Sequence, residues 1–291
     1  YVYNYSDNID SSNFNISSDT MPQSIFYFDE NDGAITKYEG SATELVIPSE
    51  INGVKVTILD TASFKDCTSL TNVTIPKSII KMGEDLFLGC SNLDSVYLCN
   101  VSDRSDSSKL RISSDGTIPK LFFFDEQSKT INDYTGSVTE VKIPSKINGV
   151  DVRVVGYGAF MDCTSLTNIN LPSSVQLISM YAFKNCTSLS NIKIPDSVTS
   201  ILDGAFQTCT SLKSINIPKN VYRIGNFAFL GCTSLDNVYI TNNTKVSTSQ
   251  FIINVNKLPK NTFYFDETTG TITKYIGSAT DLVIPSEING V

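Results

Sequence analysis

AFKNCTSLSNIKIP, residues 182–195, recurs along the chain with small changes. It stands as AFMDCTSLTNINLP at 159–172, AFQTCTSLKSINIP at 205–218 and AFLGCTSLDNVYI at 228–240. Phe160, Phe183, Phe206 and Phe229 are 23 residues apart, and Cys163, Cys186, Cys209 and Cys232 keep the same step. An earlier pair, SFKDCTSLTNVTIP (63–76) and LFLGCSNLDSVYL (86–98), repeats the spacing in Phe64 and Phe87 and in Cys67 and Cys90. A fixed period of this length is the mark of stacked repeats, in which one unit cannot bury its own apolar face and neighbouring units share a core.

The chemistry of one unit says how its coil is built. Ile192 and Ile194 alternate with polar neighbours, the period of a half-buried strand. Pro195 has no N–H to give to a sheet ladder and ends that strand. Asp196-Ser197 turns the chain, and Val198 and Ile201 face inward on a second short extended piece. Gly204 lets the chain bend, Ala205-Phe206 fills the interior, and Thr208-Cys209-Thr210 closes the coil. Successive coils then pair their strands in parallel at about 4.8 Å.

A longer repeat lies over the short one. FYFDENDGAITKYEGSATELVIPSEINGV (26–54) returns as FFFDEQSKTINDYTGSVTEVKIPSKINGV (122–150) and FYFDETTGTITKYIGSATDLVIPSEINGV (263–291). Each cassette reads as a hairpin, with Phe26–Phe28 and Ala34–Tyr38 as the arms in the first. A longer coil follows, whose extra length turns through Asn52-Gly53. The hairpin aromatics are placed to cap the block before them. The cassettes are followed by two 23-residue units in one case and four in the other. The segments at 99–120 and 241–261, rich in Ser, Asp, Asn and Lys, read as loops or irregular connectors.

The expected fold is therefore a repeat solenoid: a leucine-rich-repeat-like, right-handed coil of about 23 residues with parallel β-sheets. It is β-rich, with short 3-10 or helical turns and small hairpins at block starts. Residues 1–25 are the tail of a preceding block and its connector, 26–60 a cassette with its first coil, and 61–98 a two-unit block. Residues 99–121 are a connector, 122–156 the second cassette and coil, and 157–240 a four-unit block. Residues 241–262 are a connector and 263–291 a truncated third cassette. The phrase LVIPSEINGV runs on into repeats at 45–54 but stops at 282–291, so the chain is expected to be a window on a longer array.

Composition narrows the function. The 291 residues carry a net charge of −8, against nucleic acid or an anionic membrane surface as main partner. No apolar run approaches the roughly 18–20 residues of a membrane span. There is no His, which removes the commonest general base and metal ligand.

The pattern Ala-Phe-x-x-Cys-x-x-Leu-x-x-Ile-x-Ile-Pro-x-x-Val-x-x-Ile resembles the BspA-type leucine-rich repeats of bacterial surface proteins. It is close over about 61–98 and 157–240, and the cassettes resemble the spacers that precede such repeats in clostridia-like proteins. Ser63 and Leu86 replace the usual Ala, and no Pro follows Leu98. The resemblance implies an exported or wall-attached protein, several relatives acting as adhesins toward host matrix proteins, host cells or other microbes.

Candidate sites follow from the coil. Phe64, Phe87, Phe160, Phe183, Phe206 and Phe229, with Cys67, Cys90, Cys163, Cys186, Cys209 and Cys232, form core ladders. One Cys per coil lacks the paired spacing of a zinc site, and in-register side chains pointing one way suit a disulfide poorly. The thiols read as small buried hydrophobes; Cys99, outside the ladder, is expected to be exposed. Asp29-Glu30, Asp125-Glu126 and Asp266-Glu267 read as surface turns, or as a weak cation site, because neighbours on a strand face opposite ways. Asn-x-Ser/Thr stands at Asn15, Asn72, Asn100, Asn185 and Asn242, matches expected by chance in an Asn- and Thr-rich chain.

The open strand face is the candidate ligand surface: Thr74 and Tyr97 in the first block, and Asn170, Lys193, Asn216 and Tyr239 in the second. The competing reading is a solvated sheet whose end tyrosines pack under the next connector. The chain reads as a non-enzymatic, extracellular or wall-attached binding module, monomeric, without cofactor or metal, whose partner is a protein or glycan on a host or microbial surface. The alternatives are a structural stalk that projects another domain, or part of an enzyme acting on wall polysaccharide whose catalytic residues lie elsewhere.

Overall fold

A computed structural model describes residues 2–4, 24–100, 107–242, 246, 248–253, 258–280, 282 and 284–288. The Asn15 sequon and most of 1–25 lie outside the described residues. The chain forms two compact units, Tyr1–Phe124 and Asp125–Val291.

In the second unit each coil contributes two strands to two parallel sheets. One sheet runs Glu140–Lys142, Asn168–Asn170, Asn191–Lys193. The same strand position continues in Ser214–Ile217 and Asn237–Thr241, also paired in parallel. The other sheet runs Thr130–Thr135, Val154–Val155, Leu177–Ile178, Ser200–Ile201, Arg223–Ile224. Pairing keeps one register throughout, so Ile169 lies opposite Ile192 and Ile178 opposite Ile201. The turn after Pro195 closes with Val198 N–H donating to the Pro195 carbonyl at 3.0 Å. On the third side the coils bond turn to turn, Phe183 N–H to Ala205 O and Phe206 N–H to Ala228 O, both at 2.8 Å.

The phenylalanines inside form a spine. Ring centroids are 5.0 Å apart for Tyr134–Phe160, 5.4 Å for Phe160–Phe183, 5.3 Å for Phe183–Phe206 and 5.5 Å for Phe206–Phe229. Interplanar angles fall to 4° at the last of these. Stacking this face-on, slightly offset, follows from one coil being laid over the next. The main gain is burial: each fully enclosed Phe contributes roughly 1.5–3 kcal/mol.

In the first unit, the strands Val2–Asn4, Ser24–Asp29, Ala34–Gly40, Ile58–Leu59 and Lys81–Met82 form one sheet in that order. The hairpin Ser24–Asp29/Ala34–Gly40 is thus a splice: it pairs in parallel with a strand before it and with the coils after it. Tyr38 heads the spine here, 5.6 Å from Phe64, which is 5.4 Å from Phe87. A second sheet pairs Glu44–Val46, Asn72–Ile75, Ser95–Cys99 and the Lys120–Phe124 part of Lys120–Asp125. The Asn-Gly turns form as expected. Asn52 and Gly53 have φ of 51° and 82°, Asn148 and Gly149 50° and 73°, the double left-handed turn that suits a two-residue hairpin.

Two expectations are corrected and a third is refined. The bend does not depend on glycine: the column of Gly204 (φ 62°) holds Ala62, Asp85, Gly158, Tyr181 and Phe227, all at φ 55–61°. Coil-to-coil hydrogen bonds impose the left-handed conformation whatever the side chain. The described parts of the connectors, expected as loops or irregular segments, are irregular in backbone but bond onward as partial coils. They include the 3-10 turns Ser107–Leu110 and Thr248–Gln250. Leu86 N–H donates to Lys109 O and Gly231 N–H to Ile253 O, as to a next coil, and Phe251 extends the spine 5.4 Å beyond Phe229. Cys99 is buried, because its strand pairs on into Phe124.

Candidate functional site

The strand face of the second unit is set by strands of three to five residues centred on buried Ile or Val. A strand such as Asn191–Lys193 buries Ile192 and exposes both flanks. In register order, Lys142 lies beside Asn170 and Asn170 beside Lys193, all three exposed. One step along, Glu140, Asn168 and Asn191 form a parallel row, also exposed. Repeating at the interstrand spacing of about 4.8 Å, these amides and ammonium groups present a grid of donors and acceptors.

The other four candidates are not open in this way. Asn216 is half-buried and its Oδ1 accepts a hydrogen bond from Thr241 Oγ1 at 2.8 Å. Thr74 is buried. Tyr97 stacks on Phe122 with centroids 5.2 Å apart, and Tyr239 on Phe263 at 5.3 Å. Burial pushes the Tyr97 phenol up to about 12 and raises Tyr239 above its ordinary value. Both tyrosines pack against the first strand of the hairpin that follows.

That splice is built with polar clips as well. Lys120 Nζ reaches Asp94 Oδ1 at 2.7 Å, and Lys260 Nζ reaches Asp236 Oδ2 at 3.0 Å. Asn261 Nδ2 donates to Asn237 Oδ1 at 2.9 Å while Tyr275 Oη donates to Asn261 Oδ1 at 2.8 Å. The residues missed by the sequence reading are Asn168, Asn191 and Asn237. Their signal was the Asn before the central Ile or Val, on the same face as the residue after it.

The remaining candidates serve the frame. Asp29 accepts from Asn31 N–H at 2.9 Å, Asp125 from Gln127 N–H at 2.8 Å, and Asp266 from Thr268 N–H at 2.9 Å. These are Asx turns. Glu30 accepts from Asn52 Nδ2 and Glu126 from Asn148 Nδ2, so the first two carboxylate pairs tie their hairpins to the Asn-Gly turns. Among the described residues no group of three or more His, Cys, Asp or Glu is arranged to hold a metal ion.

The ladder cysteines do more than fill space. Cys90, Cys186, Cys209 and Cys232 each donate S–H to the carbonyl of the Phe one coil back, at 3.0 to 3.1 Å. Burial raises the Cys163 thiol to about 11 and the Cys186 thiol further.

Residues 33–150 and 127–264 match the BspA type leucine rich repeat region, in six copies. The chain belongs to this family. BspA-type proteins are often surface-associated binding proteins and are generally non-enzymatic. A leucine rich cell surface protein from Faecalibacterium prausnitzii is 26% identical, with a TM-score of 0.32 over 79% of this chain and 55% of that one. A leucine-rich repeat protein from Bacteroides capillosus is 31% identical, with a TM-score of 0.32 over 38% of this chain and 85% of that one. The leucine-rich repeat protein of T. pallidum is 24% identical, with a TM-score of 0.26 over 71% of this chain and 62% of that one. This BspA-type chain thus spans less than two thirds of the T. pallidum and F. prausnitzii proteins. No protein of curated function matches it. Among its described residues no helix is long and apolar enough to cross a membrane.

Proposed function

We propose that this BspA-type chain is a non-enzymatic binding module outside a bacterial cell. It engages a protein or glycan of a host or microbial surface, as an adhesin does, through the strand face of its second unit. The observation behind this reading is the pair of exposed rows formed by Asn168 with Asn191 and by Asn170 with Lys193. The core ladders are enclosed and committed to stacking, whereas these side chains project outward without serving the coil. Their chemistry suits a polar ligand gripped by many weak hydrogen bonds along the repeat axis.

The test is label-free binding of the chain to matrix proteins, mucins and glycans, with an Asn168→Ala/Asn191→Ala/Lys193→Ala variant alongside. Saturable binding lost in the variant supports the strand face. Binding retained by the variant moves the ligand elsewhere on the solenoid.

A second reading has its own support. Tyr97 and Tyr239 are used to splice a block to the next hairpin, as a load-transmitting stalk requires. Absence of saturable binding across the panel favours the stalk.

A further inference from the structure

The turn edge of the second unit carries an exposed apolar strip that the coil does not need. Tyr157 is 63% exposed and Phe227 59%, with Met161 and Met180 also exposed. Tyr157 and Tyr181 meet edge to face with centroids 5.7 Å apart, and Lys184 Nζ sits 5.0 Å over the Tyr181 ring. The repeat places these residues in neighbouring columns: Tyr157 and Met180 in one, Tyr181 and Phe227 in the next, Met161 and Lys184 in a third.

Two internal comparisons set the strip apart. In the first unit the same columns hold Thr61 and Glu84, Ala62 and Asp85, Lys65 and Leu88, and Asp85 is ion-paired with Arg111. That is an ordinary solvated edge. Within the second unit, Tyr181 and Phe227 both have φ of 58°, a conformation costly for a bulky side chain. The alternate members of their column are Gly158 and Gly204, at φ 61° and 62°. Glycine satisfies the backbone at this position, yet the chain places aromatic rings there. Gly204 even makes room: a Cβ on it would lie 2.4 Å from Tyr181 Cε1. Bulky residues kept in strained backbone point to a use outside the fold.

We infer that this strip docks a protein partner that presents an apolar anchor ringed by basic side chains. Tyr, Phe and Met are the residue types enriched in the cores of protein interfaces. The acids beside the strip supply the charge half of the match. Asp162 and Asp203 lie at coil positions adjoining Met161 and Gly204, held by Asn185 Nδ2 at 2.7 Å and Asn226 N–H at 2.9 Å. The edge's cation, Lys184, is turned onto Tyr181. The chain as a whole carries −8, which opposes both a second copy of itself and an anionic membrane. The inference rests on the reading of the chain as a binding module but not on the strand face.

The test uses the whole chain and a Tyr181→Gly/Phe227→Gly variant, which installs the residue already found at 158 and 204. A phage-displayed library of random linear peptides is panned on the chain. The expected winners combine aromatic or aliphatic residues with Arg or Lys and bind less tightly as salt rises. The variant binds them on the order of tenfold or more weakly yet melts at the same or a higher temperature. A lower melting temperature would assign the rings a structural role and overturn the inference. So would winners that are neutral or acidic, or that bind the variant equally. Concentration-dependent dimerisation abolished by the variant would assign the strip to a second copy instead. The Asn168→Ala/Asn191→Ala/Lys193→Ala variant keeps its affinity for these peptides. Its matrix-panel result separates failure of the strand-face reading from failure of this one.

Discussion

The Cys186 thiol donates to the carbonyl oxygen of Phe160 at 3.0 Å, from the next coil to the one before it. The same bond joins Cys209 to Phe183 and Cys232 to Phe206. Each carbonyl lies inside the stack, where water does not reach it; it accepts the N–H of the Cys in its own coil at 3.2 to 3.3 Å, and the thiol of the next coil supplies a second donor. Cys209→Ala removes that donor and opens a small void. We expect a loss of about 1–3 kcal/mol in urea unfolding; a loss under about 0.5 kcal/mol would show that the bond adds nothing.

Phe183 sits between Phe160 and Phe206 at 5.4 and 5.3 Å. Phe183→Ala leaves a ring-sized gap in the spine and is expected to cost about 3–5 kcal/mol. Tyr157→Ala, on the exposed edge, is the control. Equal melting shifts for the two would contradict the enclosed position of Phe183.

Burial holds Cys163 near 11 and Cys186 higher still. Only the thiolate attacks a disulfide reagent. At pH 8 Cys163, Cys186 and Cys209 should therefore react slowly with a chromogenic disulfide, Cys163 ahead of the other two. All three react at once in denaturant. Fast labelling of these three in the native chain would refute this.

Tyr97 titrates near 12 in the fold. The folded value lies above the unfolded one of about 10, so the neutral phenol is the form the fold favours. Its contribution is complete below pH 10 and is lost as pH rises toward 12. Ultraviolet titration should show the Tyr97 phenol ionising near 12 and melting temperature falling in that window. Replacement of Tyr97 by Phe should remove that component.

Gly149 has φ of 73° and open space where a Cβ would stand. Gly149→Ala should cost about 1 kcal/mol, the conformational term alone. Gly204→Ala adds the collision with Tyr181 and should cost more. Similar costs for the two would mean that the Tyr181 ring moves aside freely.

The coil was legible because its signals are local and repeated. Ile192, Pro195, Val198 and Ile201 each state their role within a few residues, and the step from Phe183 to Phe206 says how coils register. The Asn-Gly turn at 148–149 was readable for the same reason: two left-handed residues suit few side chains. Cys99 was misread because what covers it, the strand up to Phe124, is distant in sequence. The αL backbone at Tyr181 was missed because no propensity asks for it; Asp203 O and Gln207 O, reached by Tyr181 N–H and Asn185 N–H, impose it from the next coil.

By itself the sequence determined the repeat unit, its two strands, and the inward set of Phe, Cys, Leu and Ile, since burial follows a period that the letters carry. Only the tertiary structure decided which outward residues stay outside. Tyr97 and Lys193 hold equivalent strand positions, yet Tyr97 meets the Phe122 ring of the following hairpin while Lys193 remains in solvent. That difference comes from what is stacked against the last coil, and no pattern within the coil encodes it.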